Sequence, residues 1–433
     1  MVSRPADIPT TLPTDPVEGT RVVGRARYFP CFEGLRALAA GAVVVYHGVT
    51  LAGPDAAGGL YTPVAVLDMG VSIFFVISGF LLYRPFVVAR VEGRPAIGAH
   101  RFWWRRILRI VPAYWAALTV LWALGWVTVG DQPWRFYLFV QIYDPYTTLA
   151  GIVPAWSLNT EMSFYLFIPL WAFLVRRVAS RVGEPGRPTV AVEAGGAVVL
   201  FVAGYASRAV MSGIDRVWAI GGDGQPVTMR QVSFSWLPNT VDLFALGMLV
   251  AVLSVAADRD PALRARLDRL AQPAGAWWAA AAATWLAFAY GLGEPSLNGG
   301  YQGGYWQARQ AAFGLVAVTL LVPAVFGDQD RGVLRSGLTS RPVVWLGAVS
   351  YALYLWHLDL LQQVPGWLDR PPAEVPIPVL VGGAFVLGTL AAAASWHGLE
   401  KPLQALRRDR PALSVVPPPL APGDPADREP ATP

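Results

Sequence analysis

The stretch LRALAAGAVVVYHGVTLA, residues 35–52, decides how the chain is read. It holds no acid, one cation at its start (Arg36) and one imidazole deep inside (His47). As a helix rising about 1.5 Å per residue it covers most of a ~30 Å hydrocarbon layer. Nine further apolar runs follow, at roughly 67–89, 107–129, 155–175, 190–210, 236–256, 274–292, 309–326, 343–363 and 376–396. Open strands leave unpaired backbone in lipid and the runs are too long for barrel strands, so all are expected to be helices. The predicted fold class is all-α: a polytopic membrane bundle of about ten spans.

Composition agrees. Of 433 residues 54% are hydrophobic and 15% charged, where a soluble chain carries about 25% charged residues. Cys31 is the single cysteine, so no internal disulfide or thiol relay is expected. Of the 34 basic residues only Lys401 is a lysine; with abundant Ala, Gly and Pro this suggests a high-GC bacterial source. Residues 1–27 are polar, without a short apolar core and cleavage site, so the first run reads as a retained span rather than a signal peptide. Residues 28–402 read as the membrane domain and 403–433 as a Pro/Ala-rich disordered tail. No metal-ligand spacing, phosphate-binding glycine loop or solenoid repeat is visible, and nothing suggests a nucleic-acid partner.

The N-terminal segment, the 84–109, 176–187, 259–269 and 331–341 loops and the tail hold 28 of the 34 cations. The other loops hold only Arg135, Arg208, Arg216, Arg230, Arg309 and Arg370. By the positive-inside rule both termini are cytoplasmic.

Ionisable groups inside spans are costly and mark functional sites. Measured from the cytoplasmic edge, His47 lies about 18 Å deep and His357 about 21 Å, while Glu161 and Asp242, on inward-running spans, lie about 20 Å deep. Four such groups in one layer point to a site. Arg36 and His47 are eleven residues apart, about 20° from three full turns, hence on one face some 16 Å apart. A cation at the mouth and an imidazole within suit a long donor with a phosphate end. The RFWWRRILR stretch adds Arg101, Arg105, Arg106 and Arg109, a guanidinium cluster suited to phosphate or to anionic lipid headgroups.

At this point the motifs resemble the membrane-bound acyltransferase 3 family. YFPCFEGLRALAAGAVVVYH (28–47), GVSIFFVISGFLLYRPF (70–86), RRILRIVPAYW (105–115), WSLNTEMSFYLFIPL (156–170), LGAVSYALYLWH (346–357) and Glu400-Lys401-Pro402 are similar to its successive blocks, in order. The resemblance implies an acyl-CoA donor, usually acetyl-CoA, and a carbohydrate or glycolipid-type hydroxyl acceptor in a bacterial inner membrane. It implies His47 as the essential imidazole and Arg36, Arg106 and Arg109, with Arg105 beside them, as donor-binding groups. Glu161, Tyr351, Tyr354 and His357 match further family positions, and Ser78 with Asp242 complete the expected supporting set. The acidic residue that many members carry just before the Phe-Phe pair is Ser72 here, so that role falls away or moves to Asp68. Some members also carry an extracytoplasmic hydrolase-like domain after the bundle, for which these residues show no counterpart.

On this reading His47 is the general base, Glu161 orients or charge-compensates it, and the arginine gateway and the imidazole share one continuous passage. Prior acylation of His47 itself is the other route. A transporter or flippase of a glycolipid-type substrate is the competing class; it predicts internal repeats and broken helices, and no repeat is evident.

Overall fold

The computed structural model describes residues 29–182, 187–214, 216–220, 226–292 and 303–405. The expectations for residues 1–27 and for nearly all of the tail lie outside these.

Ten long helices follow the ten apolar runs: α1 (Cys31–Ala52), α2 (Gly70–Val91), α3 (Ala99–Ala123), α4 (Ala155–Val182), α5 (Arg187–Ser212), α6 (Leu237–Arg259), α7 (Ala274–Gly291), α8 (Gly303–Val325), α9 (Arg341–Trp367) and α10 (Ile377–Ser395). Among the described helices, nine are long and apolar enough to cross a bilayer: all of these except α7. That helix forms where expected, but its alanines bring little apolar surface and its tryptophans are amphipathic. α3 begins earlier than its apolar run because the arginine-rich stretch continues as helix below the hydrocarbon. A short hairpin, β1 (Val217–Ile220) with β2 (Pro226–Thr228), is the sheet seen among the described residues.

Lipid tails are as apolar as leucine, so helices in a membrane associate by close packing and polar ties. Both devices are present. α6 packs between α2 and α5, and α2 meets α6 at Gly79 and Gly247. A Cβ on Gly79 would overlap the Phe244 carbonyl, and one on Gly247 the Val76 carbonyl. The larger core runs through α1 to α8 and takes in Tyr354 and Leu355 of α9. A second core joins α9 and α10 to the opposite face of α1, so α1 is a wall common to both.

The polar ties are buried. Arg90 of α2 bonds Glu193 of α5, reaches the Ala172 carbonyl of α4 at 2.6 Å, and meets the Tyr83 hydroxyl, which also bonds Glu193. Arg335, in the short helix Val333–Leu338, is 1% exposed. Its guanidinium donates to the carbonyls of Pro323, Phe326, Ala271, Gln272 and Arg331 at 2.8–3.3 Å. A cation among C-terminal carbonyls is favourable for the helix dipoles.

Candidate active site

α1 and α9 pack side by side and bring their imidazoles together. His47 Nδ1 lies 3.0 Å from the Val43 carbonyl and 3.0 Å from His357 Nε2. His357 Nδ1 lies 2.9 Å from the Tyr354 carbonyl. A carbonyl only accepts, so each Nδ1 carries the proton. His357 Nε2 is then a lone pair that accepts from His47 Nδ1–H, and His47 Nε2 is left as a free lone pair. That is the protonation pattern of a general base. His357 is fully buried and His47 half-buried, as suits an orienting ring and a working one. α10 closes behind them: a Cβ on Gly388 would press on Leu353 at 2.8 Å and stand 3.5 Å from His357 Cβ.

On the other side of Tyr354 lies a cleft of about 790 Å³, its open mouth included. Its polar lining is Arg36, Arg106, Arg109, Glu161, Ser78, Ser157, Tyr165, Tyr351 and Tyr354. Glu161 Oε1 accepts from Ser78 Oγ at 2.5 Å and from the Tyr165 hydroxyl at 2.6 Å, and its charge interacts with Arg36 and Arg106. Arg36 also pairs with Glu33 at 3.3 Å. Arg106 lines the cleft, and its Nε is buried with no hydrogen-bond partner among the described residues. Three guanidiniums against one lining carboxylate leave the cleft cationic, which fits a phosphorylated donor.

The structure thus unites Arg36, Arg106, Arg109, Glu161, Ser78, Tyr351 and Tyr354 around one cleft, and His47 with His357 beside it. Four expectations are corrected. Glu161 does not orient His47; its hydrogen bonds go to Ser78 and Tyr165, and the side chain hydrogen-bonded to His47 is His357. The passage is not continuous: neither imidazole lines the cleft, and Tyr354, whose ring centroid is 5.7 Å from that of His357, stands in between. Arg105 does not line the cleft and is exposed, because it lies on the outer face of α3. Asp242 belongs to a separate network. Its carboxylate takes Arg208 of α5 at 2.7 and 3.0 Å, with Gln310 of α8 at 3.5 Å. Asp68, the relocated acid, is ion-paired with Arg309.

Several residues were missed. Phe74 and Ser157 line the cleft and carry no charge that a sequence scan would flag. Glu193 and Asp359, both buried, do lie within expected spans, and the rule that picked out Asp242 picks them out too.

Comparison with known proteins agrees with the motifs. Residues 29–182 match the acyltransferase domain model. The putative peptidoglycan O-acetyltransferase YrhL of Bacillus subtilis is 25% identical over 400 residues, 87% of this chain and 55% of that protein. Acyltransferase MdmB of Streptomyces mycarofaciens is 28% identical over 352 residues, 77% of this chain and 79% of that protein. O-acetyltransferase OatA of Staphylococcus aureus is 22% identical over 401 residues, 87% of this chain and 57% of that protein. The chain therefore spans little more than half the length of two of these relatives. No solved structure matches it.

Proposed function

From the premise that residues 29–182 match the acyltransferase domain model, we propose that the chain is a multi-pass acyltransferase of the bacterial inner membrane. It moves an acyl group, acetyl by preference, from cytoplasmic acyl-CoA to a hydroxyl of a carbohydrate-type acceptor. The observation that carries this reading is the imidazole pair, whose hydrogen bonds leave His47 Nε2 as a free lone pair on a half-buried ring. The names of two relatives, peptidoglycan O-acetyltransferase and O-acetyltransferase, support the acceptor class.

Arg36, Arg106 and Arg109 hold the donor phosphates, and the thioester arm follows the cleft toward Tyr354. The acceptor hydroxyl gives its proton to His47 Nε2 as its oxygen attacks the thioester carbonyl. The tetrahedral centre collapses, the C–S bond breaks, and the leaving thiolate takes the proton back from His47. During the step His47 is cationic, and its Nδ1–H bond to His357 becomes charge-assisted and stronger. Acceptor attack on an acyl-His47 formed first yields the same products.

The test is His47→Ala in membranes containing matched amounts of protein, supplied with radiolabelled acetyl-CoA. A general base contributes about 10²–10⁴-fold, so transfer falls by that factor. Unimpaired transfer refutes the assignment.

A further inference from the structure

We infer that Phe74 determines which acyl group is accepted, by closing the inner end of the donor cleft against Tyr354. The inference rests on the acyl-transfer reading above. The α2 residues lining the cleft run from Val71 through Phe74, Phe75 and Ser78 to Leu82, eleven steps and about 16 Å at the helical rise. The Val71 end is the imidazole end: a Cβ on the preceding Gly70 would press against Val43, whose carbonyl binds His47. The thioester arrives at this end.

Two aromatic rings meet there. Phe74 and Tyr354 stand edge to face, centroids 6.1 Å apart, and behind Tyr354 come His357 at 5.7 Å and then His47, a further 5.0 Å on. The two rings are held differently. The Tyr354 hydroxyl is tied to Ser157 Oγ at 2.9 Å and to the Pro154 carbonyl at 3.1 Å. Phe74 has no polar group to tie, is half-buried, and packs against both cores at their seam. Tyr354 is the fixed wall and Phe74 the ring that yields. The room gained when it turns lies beside the fixed Tyr354 ring, and an acyl group passes through it on its way to His47. A chain longer than acetyl meets the phenylalanine ring before its carbonyl reaches the imidazole.

The probes are acetyl-CoA and butyryl-CoA, with a chito-oligosaccharide as hydroxyl acceptor, and the readout is the ratio of kcat/KM from thiol release and ester formation. One methylene in an apolar pocket is worth roughly 10–200-fold. The wild-type protein is expected to prefer acetyl by at least about tenfold, and Phe74→Ala to erode that preference by a similar factor. Phe74→Leu should fall between. If Phe74→Ala does not accumulate, Phe74→Leu decides. Wild-type turnover with an acetyl preference that both variants preserve overturns this inference and leaves the acyl-transfer reading standing. Absence of wild-type turnover with either donor overturns that reading and this inference with it.

Discussion

Replacing His357 separates an orienting imidazole from a reacting one. In the resting pair His47 Nδ1–H is shared between the Val43 carbonyl and His357 Nε2, each at 3.0 Å. His357→Leu removes one acceptor and keeps the other, so the tautomer with a free Nε2 survives. What is lost is the bond that strengthens as His47 becomes cationic, and a hydrogen bond to a charged group is worth about 1.5–3 kcal/mol. At about 1.4 kcal/mol per decade this is a fall of roughly 10- to 100-fold in kcat, at most reaching the lower end of the about 10²–10⁴ expected for His47→Ala. His357→Gln restores an acceptor oxygen near the Nε2 position and should recover most of the loss. KM for acetyl-CoA should not move, since the arginines lie at the far end of the cleft. The assay is steady-state acetyl transfer in proteoliposomes for the three variants side by side. If His357→Leu is as inactive as His47→Ala and glutamine gives no recovery, His357 is itself the base and the assignment of the two rings is reversed.

Two further outcomes are expected. Arg106→Ala removes a charge-assisted phosphate contact of about 1.5–3 kcal/mol and should raise KM for acetyl-CoA roughly 10- to 100-fold, whereas Arg105→Ala, off the cleft, should leave it within about threefold; equal effects in a donor titration would contradict the division. Asp242→Ala strands the buried Arg208 cation and should cost about 3–5 kcal/mol of stability, while the apolar double replacement Arg208→Met with Asp242→Leu recovers most of it; thermal unfolding in detergent reports this, and a fully stable but inactive Asp242→Ala would make that carboxylate catalytic after all.

How far the site could be read from residues alone follows from what periodicity measures. Counting along a span gives depth, and depth rightly put His47 and His357 in one layer. It gives no azimuth, so Glu161 and Asp242 entered the same layer although one faces the arginines across the cleft and the other faces α5. A second reason is that the Asp242 partner Arg208, at the end of the fifth run, counts as a loop cation in the sequence, where nothing shows that Gly204 lets α5 approach Asp242. That glycine is what admits the partner helix, since a Cβ there would stand 2.8 Å from Asp242 Cβ. Spans and motif blocks were legible because lipid imposes composition on every residue facing it. Phe74 was not, because an apolar residue at the end of a cleft has the same composition as one that merely fills space.

The Arg335 guanidinium has a reach beyond its own neighbourhood. Its five carbonyl partners join the ends of α8 and the helix Pro261–Ala271 to the short helix that directly precedes α9. Lysine brings three donors from a single point and lacks the planar fork needed to span those acceptors, so it does not reproduce the knot. The height at which α9 sets off across the bilayer is fixed there, and with it the height of His357. The alignment of the two imidazoles is therefore governed in part from the far end of the helix, the way a plumb line is governed by its nail.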